Sequence, residues 1–98
     1  MASYKLSQLA QLDLEEITTY TVLTFGEKQA RLYNSQMHNA AQTAADFPSA
    51  GVSYVTRTGA VFQKYNSGRH TLFYQPTDDG VFVVRILHQM MDFDAHLD

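Results

Sequence analysis

Three residues near the C-terminus carry side chains that could bind a divalent metal ion. His88, Asp92 and His96 recur every four residues, so on one continuous helix they would share a face and present two imidazoles and a carboxylate. The residues before His88 alternate like a strand, however, and a strand that ends at His88 breaks this register. We therefore expect His88 at a strand end, Asp92 as a helix cap and His96 on the surface, with neither a metal site nor a cofactor.

Four cationic side chains form a second candidate set, and all of them lie in the C-terminal half: Arg57, Lys64, Arg69 and Arg85. Between residues 52 and 88 they face two aspartates, which gives a local charge of +2, whereas residues 1–51 hold three cations and five acids. One basic sheet face could bind a phosphate backbone or an acidic protein surface. The alternative is that each cation is solvated or belongs to an ion pair. The position of Arg69, beside His70 at the start of a strand, favours a binding role.

Other patterns with catalytic potential are weaker. His70 flanks a strand, where a hydrogen-bonded structural role is more common than that of a general base. No glycine-rich phosphate loop opens a helix, and no serine is spaced from a histidine and an aspartate so as to identify a triad. Four aromatic residues of the strand half could stack on nucleic-acid bases, but their alternation along strands favours the core: Tyr65, Phe73, Tyr74 and Phe82.

The composition restricts the class of protein. The chain has 98 residues, 45% of them hydrophobic and 17% charged, which predicts one globular domain over residues 1–98. Its net charge of −3 argues against gripping nucleic acid unaided. It has no cysteine, which excludes a disulfide scaffold or a thiol nucleophile and is typical of a reducing cytoplasm. Because no apolar run approaches about 18 residues and no signal peptide is apparent, we expect a soluble cytoplasmic protein.

The N-terminal half predicts a short strand and two helices. Residues 4–6 alternate like a strand, and Ser7 stands where an N-cap hydroxyl would bond the first helical turn. From residue 8 to about 24, and again from 27 to about 46, apolar residues recur at the spacing of one helix face. Gly26 between them can adopt the left-handed conformation that closes a helix. So short a link predicts an antiparallel hairpin.

After Gly51 the hydrophobic period changes to two. Four strands are predicted, at residues 52–56, 60–65, 71–75 and 81–87, separated by short turns that make neighbouring strands antiparallel. Residues 92–97 predict a short terminal helix. The predicted fold class is α+β, with an N-terminal helical hairpin packed on a mostly antiparallel sheet and a short C-terminal helix.

Sequence strings in these elements resemble a known toxin family. In the helical half they are Leu6-Ser7, Asp13-Leu14 and Phe25-Gly26, and in the strand half Ser67-Gly68-Arg69-His70, Leu72-Phe73-Tyr74, Val84-Arg85-Ile86-Leu87-His88, Met91-Asp92 and His96-Leu97. Together they look like the ParE toxins of the RelE/ParE superfamily, and the second half is the more specific part. The resemblance implies a helical hairpin against an antiparallel sheet, and a toxin that a cognate antitoxin neutralises.

The resemblance leaves two activities to choose between. RelE-like members cleave messenger RNA on the ribosome, using cations that stabilise the charge developing on the phosphate, whereas ParE-like members inhibit DNA gyrase. Positions that hold arginines in the ribonuclease branch hold Thr71 and Gln89-Met90 here, and the terminal aromatic is Phe93, which has no phenol for proton transfer. These departures and the acidic net charge favour a gyrase inhibitor that is not an enzyme. A ribonuclease would use Lys64, Arg69 and Arg85, and a third alternative is a non-toxic remnant that only binds its antitoxin.

The expected partner-binding residues follow from the gyrase interpretation: Arg69 and Arg85 for charge, and Met90, Met91 and Phe93 for an apolar anchor. Adjacent Met90 and Met91 cannot both face the core, so at least one should be exposed. We expect an amphipathic segment of the antitoxin to cover an exposed apolar groove between the hairpin and the sheet. The first helix is acidic and would repel an acidic antitoxin, so we expect the antitoxin on the basic sheet side. The expected partners are the cognate antitoxin, in a hetero-oligomer, and DNA gyrase, with no membrane and no direct sequence-specific nucleic-acid binding.

Overall fold

The structure is a computed structural model that describes residues 2–97. A short strand, β1 (Ser3–Leu6), leads into the hairpin of helices α1 (Gln8–Phe25) and α2 (Glu27–Asp46). One 3₁₀ turn (Pro48–Ala50) joins α2 to a run of strands: β2 (Val52–Val55), β3 (Val61–Ser67), β4 (His70–Thr77) and β5 (Gly80–His88). A short helix, α3 (Phe93–Leu97), follows β5.

The five strands form one sheet in the order β1-β5-β4-β3-β2. Strands β2 to β5 make an antiparallel meander, whereas β1 pairs in parallel with β5, from Ser3 opposite Gly80 to Leu6 opposite Val83. The register between β4 and β5 shifts after Phe73, which lies opposite Arg85, and leaves Val84 as the extra residue of a bulge. Because β1 ends at Leu6, β5 has no strand on its outer side beyond Val83.

Side-chain and backbone bonds fix the start and end of α1. The Ser7 hydroxyl accepts from the N–H of Ala10 at 2.9 Å and donates to the carbonyl of Val84 at 2.6 Å, so one residue both caps α1 and ties it to β5. At the other end, Gly26 has φ +92°, a conformation that favours glycine, and its N–H donates to the Val22 carbonyl. The chain therefore reverses within one residue between the two helices.

The main core lies between the hairpin and one face of the sheet. Helix α2 contributes mostly small side chains, which let it approach the strands closely: Ala30, Ala40, Ala41, Ala44 and Ala45, with Met37 as the one large residue. From the sheet, Leu72, Tyr74, Val83 and Ile86 face this core. A smaller cluster on the opposite face contains Phe62, Phe73 and Leu87, and Phe93 of α3 packs against it.

The observed elements confirm the predicted fold class and correct its details. Helix α2 has the predicted bounds, while β3 and β4 extend two residues or fewer beyond theirs. The local pattern predicted β1 but not its partner, which lies 77 positions away in sequence. The strand aromatics Phe73 and Tyr74 are fully buried. None of the described helices is long and apolar enough to span a bilayer.

Glycine at position 80 is required by the close approach of β1. Gly80 has φ +154°, and a Cβ there would lie 1.8 Å from the Ser3 carbonyl oxygen. Gly59 also has a positive φ, of +92°, but a Cβ there would meet nothing within 4 Å. Gly80→Ala should therefore lower the free energy of unfolding by at least about 1 kcal/mol more than Gly59→Ala, which suffers backbone strain alone. Urea titrations of both variants measure the difference, and equal losses would contradict the parallel pairing of β1.

Candidate functional site

A groove of about 850 Å³ separates the helical hairpin from the end of the sheet. Helix α1 lines it with Glu16, Ile17, Tyr20 and Phe25, and helix α2 lines it with Tyr33. The turn between β3 and β4, the end of β5 and Met91 complete the wall. Tyr20, Phe25 and Met91 are exposed, so the groove presents apolar surface to solvent. A concave apolar surface with a few polar groups is typical of a binding site.

The turn that carries Arg69 is held from both sides. The hydroxyl of Tyr33 accepts from the Arg69 N–H at 3.0 Å, and Gln89 donates to the carbonyls of Arg69 and Gly68 at 3.0 and 3.2 Å. Gly68 has φ +58°, and a Cβ there would lie 2.7 Å from the Tyr33 hydroxyl, so the tight approach requires glycine. The Arg69 backbone is thus fixed while its side chain is exposed at the groove.

Two histidines lie side by side at the sheet end of the groove. His70 and His88 are directly paired across β4 and β5, and their rings meet edge to face with centroids 5.3 Å apart. The Tyr33 hydroxyl is 2.6 Å from Nδ1 of His70. Burial, together with the positive charge that His88 can carry, lowers the pKa of His70 below its ordinary value, and Asp13 partly opposes this shift. His70 is therefore neutral at physiological pH.

Arg85 is committed to an ion pair inside the protein. Its guanidinium donates to both carboxylate oxygens of Asp13, from Nε at 2.8 Å and Nη2 at 2.9 Å, and from Nη1 to the His96 carbonyl at 3.0 Å. The Arg85 and Asp13 side chains are only 14% and 12% exposed. The bonds to Asp13 raise the pKa of Arg85 above its usual range. This bidentate pair joins α1, β5 and the C-terminal helix.

Hydrogen bonds also hold the C-terminal helix to β2 and to the loop that follows it. We call the contacts of Asp94 with Tyr54 and Arg57 the Asp94 clasp. The carboxylate of Asp94, in α3, accepts from the Tyr54 hydroxyl and, at 2.7 Å, from the Arg57 N–H. The Arg57 Nε lies 3.3 Å from the same carboxylate. These bonds hold the pKa of Asp94 below its usual value, and the bond from Tyr54 makes the largest contribution. The same bond raises the pKa of Tyr54. Phe93 packs edge-on against Tyr54 and Phe73 beside the clasp.

Some of the predicted partner-binding residues are exposed in the structure, and others are buried or paired. Arg69 and Met91 line the groove, and Met90 is 86% exposed, which confirms that at least one of the two methionines faces solvent. The expectation of an exposed Arg85 is corrected, because Asp13 neutralises and covers its guanidinium. Phe93, expected as an apolar anchor, is the first residue of α3 and is half-buried against the cluster of Phe62, Phe73 and Leu87.

Ion pairs within the protein also lower the number of free cations on the predicted basic sheet face. Arg57 faces Asp92 and Asp94, and Arg85 faces Asp13. Lys64 lies over the Tyr54 ring, 5.5 Å from its centroid, and is not among the residues that line the groove. The three cations suggested for a ribonuclease, Lys64, Arg69 and Arg85, therefore do not converge on this groove. Within residues 2–97 no cluster of three His, Asp or Glu side chains could hold a metal ion, so His88, Asp92 and His96 form no such site.

Three site residues were missed by reasoning from the sequence. Asp13 was read only as part of an acidic helix, and Asp94 was not singled out, because their partners lie 72 and 40 positions away. Tyr33 lies on the apolar face of α2, but nothing local indicates that its hydroxyl bonds the Arg69 backbone and His70. A charge and an apolar period are local signals, whereas the pairing of side chains is set by the tertiary fold.

A helical hairpin packed on such a sheet, with an open groove between them, defines the RelE/ParE class of small α+β protein. The model of the family "ParE toxin of type II toxin-antitoxin system, parDE" matches residues 4–93. Toxin ParE1 of Mycobacterium tuberculosis is 42% identical over 96 residues, which cover 96% of each chain. Toxin ParE1 of Caulobacter vibrioides is 33% identical over 97 residues, 99% of each chain.

A solved structure shares the fold at lower identity. It is described as the chromosomal ParDE TA system from P. aeruginosa, and it superposes with a TM-score of 0.70 at 16% identity, over 90% of this chain and 96% of the other. The chain belongs to the ParE toxin family of type II toxin–antitoxin systems. The family and the fold that the sequence resemblance implied are both confirmed.

The buried ion pair can be tested by a double-mutant cycle. Asp13→Asn or Arg85→Met alone should lower the free energy of unfolding by roughly 3 kcal/mol, because each leaves a poorly solvated charge without its partner. The double variant should lose at least about 1 kcal/mol less than the sum. Urea unfolding followed by circular dichroism measures all four proteins.

The matched control is the exposed pair of Glu27 and Arg31, 3.9 Å apart on α2. The same cycle with Glu27→Gln and Arg31→Met should give a coupling below about 0.5 kcal/mol. Strict additivity at Asp13 and Arg85 would show that the pair does not join the hairpin to the sheet.

The Asp94 clasp should appear in the pH dependence of stability. Because the folded pKa of Asp94 is lowered, the unfolded chain binds the proton more tightly, and the stabilisation is present above the ordinary value of about 4 and lost as pH falls below it. Asp94→Asn should have a lower Tm at pH 7, and its Tm should fall less than that of the wild type between about pH 5 and pH 2.5. Asp78→Asn, at an exposed carboxylate in none of the ion pairs of the described residues, is the control and should follow the wild-type curve. Parallel curves for all three proteins would exclude the clasp.

Proposed function

We propose that this ParE family member acts in the cytoplasm as a toxin that inhibits DNA gyrase by binding it, without catalysis of its own. We further propose that a cognate antitoxin neutralises it by occupying the groove. The observation that carries the binding role is the groove itself, whose apolar rim of Tyr20, Phe25 and Met91 is exposed in the isolated chain. Surface of this kind is typical of a protein-interaction site.

Gyrase is the target that the family resemblance implies, and the side-chain arrangement supports a protein that binds rather than cleaves. A ribonuclease needs several free cations around one scissile phosphate. Here Arg85 is neutralised by Asp13, and Lys64 lies away from the groove, so Arg69 is left alone among the three. One exposed guanidinium suits recognition of a protein partner better than catalysis on RNA.

The predicted partner-binding residues take different parts in this proposal. Arg69, Met90 and Met91 are exposed and would contact gyrase or the antitoxin directly. Arg85 and Phe93 would act indirectly, because they fix the segment that carries the methionines: Arg85 bonds the His96 carbonyl, and Phe93 packs on Phe73. Methionine is well suited to such a surface because its flexible side chain adapts to a partner.

The experiment is a supercoiling assay with purified gyrase and increasing amounts of the protein. We expect loss of supercoiling with accumulation of cleaved DNA, and reversal when the antitoxin is added. Met90→Ser should raise the concentration needed for half-inhibition at least about fivefold, because it removes an apolar contact made only in the complex. Leu23→Ser, at a residue that is similarly exposed but belongs to α1 and not to the C-terminal segment that carries the methionines, is the matched control and should leave the potency unchanged.

Full supercoiling at a large excess of folded protein would remove gyrase as the target. Ribosome-bound messenger RNA is then the next substrate, and its cleavage would establish the ribonuclease alternative. A protein that binds its antitoxin tightly but inhibits neither process would be a remnant that retains only the antitoxin interaction.

A further inference from the structure

One corner of the groove gathers hydrogen-bond donors that have no acceptor. Arg69, His70 and His88 all line it, with the two imidazoles packed edge to face. Within residues 2–97 the Arg69 guanidinium forms no ion pair. Its backbone is nevertheless fixed by Tyr33 and Gln89. The Arg69 guanidinium is therefore positioned at the groove without an ion-pair partner among the described residues.

The hydrogen bonds engage Nδ1 of both histidines. The Met90 N–H donates to Nδ1 of His88 at 3.1 Å, which requires an unprotonated Nδ1 and places the ring proton on Nε2. The Tyr33 hydroxyl accepts from the Arg69 N–H and lies 2.6 Å from Nδ1 of His70. When this hydroxyl donates to Nδ1, neutral His70 also carries its ring proton on Nε2. In the described chain neither Nε2 has a hydrogen-bond partner.

We propose that the corner of Arg69, His70 and His88 is a carboxylate-binding site, which receives an Asp or Glu side chain of the antitoxin. The inference rests on the proposed function, since it names the chemistry by which the antitoxin segment is recognised in the groove. A guanidinium and two imidazole N–H groups are all donors, and a carboxylate is an acceptor only. The geometry thus favours an anion over a cation or a neutral amide.

The other charges around the corner agree with a single carboxylate. Helix α1 presents Asp13 and Glu16, of which Asp13 is neutralised by Arg85. Glu16 forms none of the ion pairs of the described residues and opposes the incoming carboxylate. Helix α2 presents only the phenol of Tyr33 among its titratable groups. A nucleic acid would need several cations along its backbone, whereas this groove offers one guanidinium between apolar walls. An acidic residue within an apolar segment of a protein matches that distribution.

Occupancy of the corner should couple antitoxin binding to protonation of His70. Burial and His88 keep the pKa of free His70 low, and a carboxylate held against Nε2 would favour the charged imidazolium and raise that pKa. A group whose pKa is higher in the complex takes up a proton on binding, so the affinity should rise as pH falls from 7.5 to 6.0.

The test uses the full-length toxin and the antitoxin encoded beside it. The pKa of each histidine is measured by NMR, from the ring Cε1–H signals, in the free toxin and in the complex, and the Kd is measured by calorimetry at pH 7.5 and 6.0. We expect the pKa of His70 to rise by about one unit or more in the complex and the Kd to fall several-fold at pH 6.0. His38, which bonds Tyr4 outside the groove, is the internal reference whose ring signal should be the same in the free toxin and in the complex.

Variants distinguish this charge recognition from general packing in the groove. Arg69→Gln should weaken binding about tenfold or more, while Arg31→Gln, on an exposed turn of α2, should not. Glu16→Gln should strengthen binding. Replacement of one antitoxin carboxylate by its amide should abolish the pH dependence and make Arg69→Gln silent.

The failures of the two proposals are distinguishable. Tight binding with an unchanged His70 pKa, the same Kd at both pH values and no effect of Arg69→Gln would overturn the carboxylate site and leave neutralisation by the antitoxin intact. Absence of any binding by the folded wild-type toxin would overturn the antitoxin partnership and, with it, this inference.

Discussion

The ion pair of Asp13 and Arg85 is the interaction on which the arrangement of the other parts depends. Strand β1 ends at Leu6, so β5 lacks a neighbouring strand beyond Val83. Asp13 takes the place of that strand, because its carboxylate accepts from the Ile86 N–H at 3.0 Å as well as from Arg85. Arg85 donates from its third nitrogen, Nη1, to the His96 carbonyl. One pair thus completes a sheet edge, holds α1 on the sheet and positions the C-terminal helix, which is why a partly buried charge is tolerated there.

The sequence is a good guide to these elements and a poor guide to their pairing, for one physical reason. Helix α2 was predicted with its observed bounds because the helical spacing of its apolar residues and the glycine before it, Gly26, are local signals. Likewise, Ser7 was predicted as the N-cap, and it is. Strand β1 lies more than 70 positions from its partner strand, and so does Arg85 from the carboxylate that it binds. No local pattern encodes such contacts. Counting cations along the strands therefore overestimated the basic surface.

The same limit explains what could be predicted of the candidate site. The turn around Arg69 and the exposure of Met90 or Met91 were accessible from sequence, because glycine marks a turn and adjacent methionines cannot share one core face. The groove between the hairpin and the sheet was expected as the antitoxin site, but its lining was not, because Phe25 at the turn of the hairpin and Met91 after β5 meet in one groove only through the tertiary fold. Tyr33 acquires its role only in that tertiary setting, where its hydroxyl serves both the Arg69 backbone and His70.

Pairing inside the fold also changes what the net charge means for recognition. A charge of −3 suggests repulsion of an acidic partner, but a partner meets local charge on the scale of the Debye length, about 8–10 Å, and not the sum over the chain. Arg57 and Arg85 are neutralised by carboxylates of the protein itself, which leaves Arg69 as the cation that faces the groove. Charge selectivity is thereby confined to one corner, and the apolar rim supplies contact area around it. A surface built this way discriminates by the position of a single carboxylate within an apolar segment, because only the right register buries both the rim and the charge.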